Sequence, residues 1–584
     1  MEKVDRICHL IKIVIISTLV ISPVSAQQSR LLLQGATIID GVSDTPLRGY
    51  SILIEDNLIK EVLQPGESVS GNVEVIDLDG KYIIPGLIDS HVHWLDWMGE
   101  LYVNHGVTSV VGLTNLAKTK RTRSQTSHGL PRLFHSGNRP PFNKDTTQRE
   151  MRQIIEEWLD NEPDIAHFPT HNAQISRAYA LAAREVQRHD YMVFGHTEDV
   201  TNSFRDGHGI VEHIWGFTQA VMTDAELSAF QRGDYLTWAT FMTDRWDEID
   251  KIIQDVVEQD VYLNPTLVYE WGGMSQDANQ REIDDYLTLR DPGLVYFPGN
   301  IKLSLFAKHR QIKNFSSRYG NLPLLEMLQD EDRKIFELGF ENIKEFMRRW
   351  MAAGGKVQAG TDAITAGVPG LGLHQEMRML VETGLTPMQA IKAATRWSAE
   401  QFEGIEGKRG SAMVGSIETD KFADLVVLDK NPLVDIYNSR SISRVMKNGM
   451  WVELGYHPEY YTFTQPPRSI AGSTFAPVIS TLYPSYVTAG GRDRRVALEG
   501  SGFQMTTLVR VNGISVKTYF INPRRIEFDL SASLFKESAP DPYRSPGPFQ
   551  EFNTIGYRGI KIHAFNPAPE GGTSNTINLM VRPD

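Results

Sequence analysis

The feature that most constrains this chain is a regular alternation of strand-like and helix-like segments between Leu87 and Glu403. Segments such as "TQREMRQIIEEWLD" and "ISRAYALAAREVQRH" place apolar residues at helical spacing. The strand-like runs between such segments are "GLIDSHVH", "GVTSVVGLTN", "LPRLFHSG", "DIAHFPTH", "YMVFGHTE", "GIVEHIWG", "VYLNPTLVYEW" and "KVQAGTDA". Because strands joined by helical crossovers pair in parallel, the pattern predicts an α/β fold. The number of strands favours a closed (β/α)8 TIM-type barrel over an open doubly wound sheet.

Short β-rich runs flank this region on both sides. "LLLQGATIID" and "VEVIDLDGKYIIPG" precede it, and "GSIETDKFADLVVLDKNP" and "ISRVMKNGMWVEL" follow it. Neither set is long enough to build a core of its own. We therefore expect residues 29–84 and 407–455 to form one small composite β-sandwich beside the barrel of residues 85–406.

The C-terminal part of the chain has a different texture. Residues 456–475 are rich in proline and aromatic residues without a helical period, which predicts a linker. Residues 476–584 alternate as strands and turns, and the Asn512-Gly513 pair is a hairpin signal. The stretches "EGSGF", "VRVNGISV" and "NPAPEGGTSN" resemble TIG-type immunoglobulin-like domains. This resemblance implies an all-β Ig-like sandwich at the C-terminal end.

The first residues have the order of a secretory signal peptide. Basic residues precede an apolar run over 13–21, and Val-Ser-Ala ends at Ala26, which predicts a signal peptide over 1–26. The apolar run is too short to span a bilayer comfortably, so we expect export to the periplasm or the extracellular space without stable membrane insertion. An uncleaved anchor is the alternative. The single cysteine, Cys8, lies in this segment, so the mature chain offers neither disulfides nor thiolate ligands.

The charge of the chain narrows the class of partner. A formal net charge of -13 argues against a nucleic-acid-binding protein, which needs a basic face. We therefore expect a small-molecule substrate as the partner. A homo-oligomer is compatible with the sequence, which does not set the oligomeric state.

Candidate metal ligands lie at the ends of several predicted strands. The C-terminal ends of parallel barrel strands converge on one face, where catalytic groups gather. These strand-end residues are His91, His93, His196, His213 and Asp362. His91 and His93 point to the same side because side chains alternate along a strand. Imidazoles with one carboxylate form a ligand set suited to Zn, Fe or Mn.

Five motifs give the chain a specific resemblance. They are "PGLIDSHVH", "NHGVTSVV", "VEHIWG", "AGTDA" and "KFADLVVLDKNPL", in this order. From Leu31 to about Glu453 the chain resembles the metal-dependent amidohydrolase superfamily, and within it the imidazolonepropionase-like and prolidase-like members. The resemblance implies a (β/α)8 barrel with a β-sandwich built from both flanks. It also implies hydrolysis of an amide or related C–N bond.

The resemblance further implies roles for individual residues. His91, His93, His196 and Asp362 would bind the metal, and His213 would bind it or orient the attacking water. Asp362 and His213 are accordingly the predicted catalytic residues. His374, in "GLGLHQEM", is a predicted substrate contact, with a structural histidine as the alternative.

One position departs from the family pattern. Many relatives carry a lysine at the end of the fourth strand that is carboxylated and bridges two metals, whereas this chain has Ala166 and His167 there. We therefore expect one divalent ion, with Zn favoured over Fe and Mn. His167 is a predicted substrate-binding residue, and a second-metal ligand is the alternative. Hydrolysis of esters or lactones in the same site, or ligand binding with weakened catalysis, are the alternative functions.

Overall fold

The structure is a computed structural model. It describes residues 30–582 except 114–128, 138–139, 161–162, 169–175, 190, 198, 204–207, 232–243, 292–293, 295–329, 364–366, 406–412, 457–476, 506, 513, 536–557 and 567–573. The predicted signal peptide and nearly all of the predicted linker lie outside the described residues.

The first part of the described chain consists of short strands. They are β1 (Arg30–Gln34), β2 (Thr37–Ile38), β3 (Leu47–Arg48), β4 (Ser51–Glu55), β5 (Leu58–Leu63), β6 (Glu74–Asp77) and β7 (Tyr82–Pro85). One sheet has the order β5-β4-β1-β6, while β2, β3 and β7 belong to a second sheet.

The next strands pair only in parallel with one another. They are β8 (Leu87–Val92), β9 (Val107–Gly112), β10 (Arg132–His135), β11 (Ala166–His167), β12 (Val193–His196), β13 (His208–Glu212) and β14 (Tyr262–Asn264). They form the sheets β10-β9-β8 and β11-β12-β13-β14. An eighth segment lies between them, because Val357 bridges to Leu263 of β14 and Ala363 bridges to Val92 of β8. The arrangement is TIM-barrel-like, although its strands do not close as one continuous sheet.

Helices alternate with these strands, as the sequence predicts. The α-helices are Gly99–Asn104, Gln148–Leu159, Ser176–Gln187, Val200–Ser203, Trp215–Ala220, Asp224–Gln231, Trp246–Val257, Leu267–Glu270, Ala278–Leu289, Asp330–Ala352, Leu371–Glu382, Pro387–Ala393 and Arg396–Ala399, and the 3-10 helices are Asp96–Met98, Glu400–Ile405, Ile436–Arg440 and Ala532–Leu534. Over the described residues, no helix combines the length and the apolarity needed to cross a membrane.

Two strand predictions differ from the structure. The run "VYLNPTLVYEW" is a strand only over β14, and Leu267–Glu270 is helical. The reason is Pro265, which has no N–H to continue a strand ladder. The run "KVQAGTDA" makes isolated bridges at Val357 and Ala363 in place of a regular strand.

A mixed sheet joins both flanks of the barrel-like region. Its later strands are β15 (Leu425–Leu428), β16 (Ile442–Lys447) and β17 (Met450–Trp451), and its order is β17-β16-β15-β7-β2-β3. The strand β15 is buried on both faces. Leu425 and Val427 pack into the apolar cluster shared by the two flanking sheets, whereas Val426 and Leu428 pack into the barrel-side core. This alternation lets one strand serve two cores.

The C-terminal region contains two further sheets. Its strands are β18 (Val478–Tyr483), β19 (Tyr486–Thr488), β20 (Arg494–Ser501), β21 (Leu508–Val511), β22 (Ile514–Val516), β23 (Thr518–Asn522), β24 (Arg525–Leu530), β25 (Arg558–Phe565) and β26 (Ile577–Arg582). The sheet orders are β18-β20-β24-β23 and β19-β26-β25-β21-β22. Leu498 and Phe528 of the first sheet share an apolar cluster with Ile560 and Leu579 of the second. Asn512 has φ 49°, as the predicted hairpin between β21 and β22 requires.

We expect the part of the chain before this C-terminal region to fold without it. Among the described residues, its apolar cluster contains only residues of 479–581, and no other cluster extends beyond Tyr456. A chain truncated after Tyr456 should therefore keep a cooperative thermal unfolding transition and the metal content of the full chain. Calorimetry and elemental analysis of the truncated and full chains check this. Loss of the transition would show that the C-terminal region supports the core of the barrel-like region.

Candidate metal centre

Backbone hydrogen bonds tie the first strand of the barrel-like region to its eighth segment. The backbone N–H of Asp362 donates to the carbonyl oxygen of His91 at 3.0 Å. The backbone N–H of His93 donates to the carbonyl oxygen of Ala363 at 2.7 Å. A Cβ on Gly360 would lie 2.7 Å from the Cβ of His91, so glycine at this position permits the close approach. The "HVH" and "AGTDA" motifs are thereby brought side by side.

Three side chains from these two segments form a first group of ligand atoms. His93 Nε2 lies 2.9 Å from Asp362 Oδ1, and His91 Nε2 lies 3.6 Å from the same oxygen. One nitrogen of each histidine and one oxygen of Asp362 all fall within 4.8 Å of one another. His91 is completely buried, whereas the side chain of His93 is 48% exposed, so solvent reaches the group from the His93 side.

His91 also belongs to a second group, with His196 at the end of β12 and His213 directly after β13. The Nε2 atoms of His196 and His213 lie 2.9 Å apart. Nδ1 of His213 lies 2.6 Å from the hydroxyl oxygen of Thr266, and this hydrogen bond sets the orientation of the His213 ring. The structure thus brings all five predicted strand-end residues together around His91.

An aromatic side chain supports the second group. The ring of Trp215 stacks on that of His213, with centroids 4.5 Å apart and planes 20° from parallel. It also meets His196 edge-on at 5.5 Å. Trp215 therefore limits the rotation of both imidazoles.

The backbone at this site is unusual. His213, Thr266 and Asp362 have φ values of 62°, 45° and 53°, which lie in the left-handed region. Such values are uncommon for residues other than glycine, and they are sparsest for β-branched residues such as threonine. Strained backbone of this kind concentrates at functional sites, where the surrounding structure imposes it.

The protonation states of His196, His213 and Asp362 suit metal binding, whereas burial lowers the pKa of His91 but Glu212 and Asp362 outweigh it and raise that pKa well above its usual value. Burial lowers the pKa of His213 to about 4, and burial together with His213 lowers the pKa of His196 well below its usual value. Burial opposes ionisation of Asp362, but His93 and His91 outweigh it and hold the pKa of this carboxyl well below its usual range. Neutral imidazoles and an ionised carboxylate are the forms that bind metals.

His91 provides the test of whether a metal ion fits. Both of its ring nitrogens are buried and lack an aligned hydrogen bond to any described residue. Buried polar groups almost always form hydrogen bonds, so a buried imidazole whose two nitrogens lack an aligned hydrogen bond requires an explanation. The carboxylates of Asp362 and Glu212 both approach its ring. This combination of imidazoles and carboxylates fits a divalent metal ion.

Glu212 is a site residue that the sequence patterns did not single out. Its side chain is fully buried, and Oε1 lies 2.6 Å from His91 Nδ1. Its Oε2 lies 3.2 Å from His167 Nε2 and 3.5 Å from His196 Nε2. Strict alternation would place Glu212 and His213 on opposite faces, but the strand ends at Glu212 and the left-handed His213 breaks the alternation. The sequence signal that could have pointed to Glu212 was its place directly before His213 in the "VEH" motif.

The two predicted substrate contacts lie in different surroundings. His167 ends β11 and contacts Glu212, outside both groups of ligand atoms found among the described residues. His374 is completely buried, with Nδ1 2.8 Å from the Ser439 hydroxyl and Nε2 2.8 Å from the carbonyl of His105. Contact of either histidine with a substrate stays a prediction.

Comparison with known proteins supports the family assignment. Residues 341–452 match the sequence profile of the amidohydrolase family. The chain is 42% identical over 69 residues to a dihydroorotase of Trichlorobacter lovleyi, covering 11% of this chain and 15% of that protein. It is 28% identical over 177 residues to a dihydroorotase of Lactobacillus helveticus, covering 25% of this chain and 37% of that protein. The chain thus spans less than half the length of these curated relatives.

Solved structures show the same fold. Phenylurea hydrolase B matches with a TM-score of 0.51 and 16% identity, covering 76% of this chain and 100% of that chain. Molinate hydrolase matches with a TM-score of 0.50 and 18% identity, covering 73% of this chain and 95% of that chain. At these identities the likeness concerns the TIM-barrel-like architecture alone. The amidohydrolase match over residues 341–452 and the histidine and aspartate groups that could hold a metal ion are both consistent with the resemblance to the metal-dependent amidohydrolase superfamily.

Proposed function

We propose that this chain is an exported, metal-dependent hydrolase that cleaves an amide or related C–N bond in a non-standard peptide or a cyclic amide. The proposal rests mainly on two groups of possible ligand atoms that share His91. One contains His93 and Asp362, and the other contains His196 and His213. The amidohydrolase match over residues 341–452 supports the reaction class.

The proposed metal site holds one divalent ion, with Zn favoured over Fe and Mn. His91, His93, His196 and Asp362 would bind it, with His213 close to the attacking water. When bound, such an ion polarises a substrate carbonyl and lowers the pKa of water towards neutrality.

The side chains of this chain supply the proton transfers. Asp362 is ionised and buried beside the imidazoles, so it can accept a proton from water as the new C–O bond forms. The same carboxyl can return that proton to the leaving nitrogen as the C–N bond breaks. His213 is neutral and held by Thr266, and it can orient the water or stabilise the developing oxyanion.

A substrate panel tests the proposed reaction. The purified full chain, loaded with Zn, is given dipeptides, cyclic amides, lactones and simple esters under identical conditions. Faster turnover of a C–N substrate supports the proposal. Turnover of lactones or esters alone would favour the alternative hydrolase, and metal binding without any turnover would favour a ligand-binding protein.

The finer architecture is part of the proposal. We infer that the parallel strands form a complete (β/α)8 barrel over residues 85–406, with the composite sandwich from 29–84 and 407–455. The two C-terminal sheets with one shared apolar cluster support an Ig-like domain over residues 476–584. Placement in the imidazolonepropionase-like or prolidase-like branch stays a prediction.

Export makes a direct prediction about the mature N-terminus. The basic, apolar and small-residue order of residues 1–26 predicts that cleavage leaves Gln27 as the first residue. N-terminal sequencing of protein recovered from the periplasm or the medium checks this. Recovery of chains that retain Met1 in the cytoplasm would contradict export.

A further inference from the structure

We propose that Glu212 is the positioning residue of the metal centre, holding the His91 ring so that Nε2 faces the ion. This inference rests on the proposed metal site and assigns a role to a residue outside the predicted ligand set. His91 Nε2 faces Asp362 Oδ1, while Nδ1, on the other side of the ring, faces Glu212 Oε1 at 2.6 Å. The two carboxylates thus flank one imidazole.

The chemistry of histidine ligands explains why this contact matters. An imidazole that binds a metal through Nε2 keeps its proton on Nδ1, and a carboxylate next to Nδ1 favours that tautomer. Glu212 and His91 are both fully buried, so no water competes for the contact. The two atoms lie within hydrogen-bonding distance, although the contact does not have the alignment of a regular hydrogen bond.

The second oxygen of Glu212 is held in place by a different residue. Oε2 lies 3.2 Å from His167 Nε2 in a hydrogen bond. Glu212 therefore spans the space between β8 and β11, with one oxygen for each histidine. In this arrangement His167 anchors the carboxylate, and the carboxylate orients His91.

The test measures metal affinity in the metal-free full chain, by competition with a chelator of known affinity for Zn. Glu212→Gln keeps the size of the side chain and removes its charge. We expect Zn affinity to fall by about 10- to 100-fold, the usual cost of losing such a partner. The unfolding midpoint of the metal-free protein should change little, which separates positioning from general destabilisation.

Glu376→Gln is the matched control. Glu376 is equally buried, but its carboxylate accepts the backbone N–H groups of Leu267 and Val268 and contacts no histidine of the site. This variant should bind Zn as the unsubstituted chain does. If Glu212→Gln fails to fold, Glu212→Asp is the second variant. Its shorter side chain keeps the negative charge but places it farther from His91, so its loss of Zn affinity should be smaller than the loss expected for Glu212→Gln.

A double-substitution cycle identifies the partner through which Glu212 acts. The affinity loss caused by Glu212→Gln should be smaller but still present in a His167→Ala background, because His167 only anchors the carboxylate and the proposed partner is His91. Unchanged Zn affinity in Glu212→Gln, or disappearance of its effect in that background, would overturn the inference. Absence of Zn binding by the unsubstituted chain would instead overturn the proposed function.

Discussion

Asp362→Asn is expected to lower kcat by about 10³-fold, within the range found for removing a general base. The amide has nearly the size of the carboxylate and keeps one oxygen, but it cannot take the proton of the attacking water. Because Asp362 is also a proposed metal ligand, and its Oδ1 lies 2.9 Å from His93 Nε2, the same substitution should weaken metal binding. The kinetics must therefore be measured at saturating Zn, with the metal content of the variant determined in parallel.

Asp89→Asn provides the control for this experiment. Asp89 is also completely buried, and its carboxylate accepts hydrogen bonds from the amide and the hydroxyl of Thr361. Burial raises the pKa of Asp89 to about 7, although the hydrogen bonds from Thr361 oppose this shift. Its neutral form is thus substantially populated at neutral pH, and the amide should cause a much smaller loss of kcat. Full turnover by Asp362→Asn with metal bound would remove Asp362 from the proposed acid–base role.

Metal removal is the second large expected effect. Dialysis against a chelator should lower turnover by about 10³-fold or more, because water without a metal is a poor nucleophile at neutral pH. Addition of one equivalent of Zn per chain should restore it. Elemental analysis before and after dialysis, together with the titrated recovery of activity, gives the number of ions that turnover requires.

His167→Ala distinguishes one ion from two. His167 lies against Glu212 and outside both groups of ligand atoms among the described residues, so the variant should keep the tightly bound ion. Two equivalents per chain in the unsubstituted protein, with one lost in His167→Ala, would contradict the single-ion site. That result would make His167 the functional replacement for the absent lysine.

The sequence by itself placed the candidate metal ligands at the ends of predicted strands. His91 and His196 follow runs rich in apolar residues, and the end of such a run is a local property of the chain. The period of two along a strand is equally local, so "HVH" predicted that His91 and His93 would serve one site, and both contact Asp362. The order of the motifs then indicated the resemblance to the amidohydrolase superfamily.

Only the tertiary structure decided how these strand ends meet. Glu212 reaches His91 from a strand more than a hundred positions away, and the next residue, His213, has a left-handed backbone conformation. The eighth segment pairs through isolated bridges, because its fit against β8 and β14 is set by those strands and not by its own propensity. Side-chain direction beyond a strand end depends on contacts between distant residues, and neither alternation nor composition carries that information.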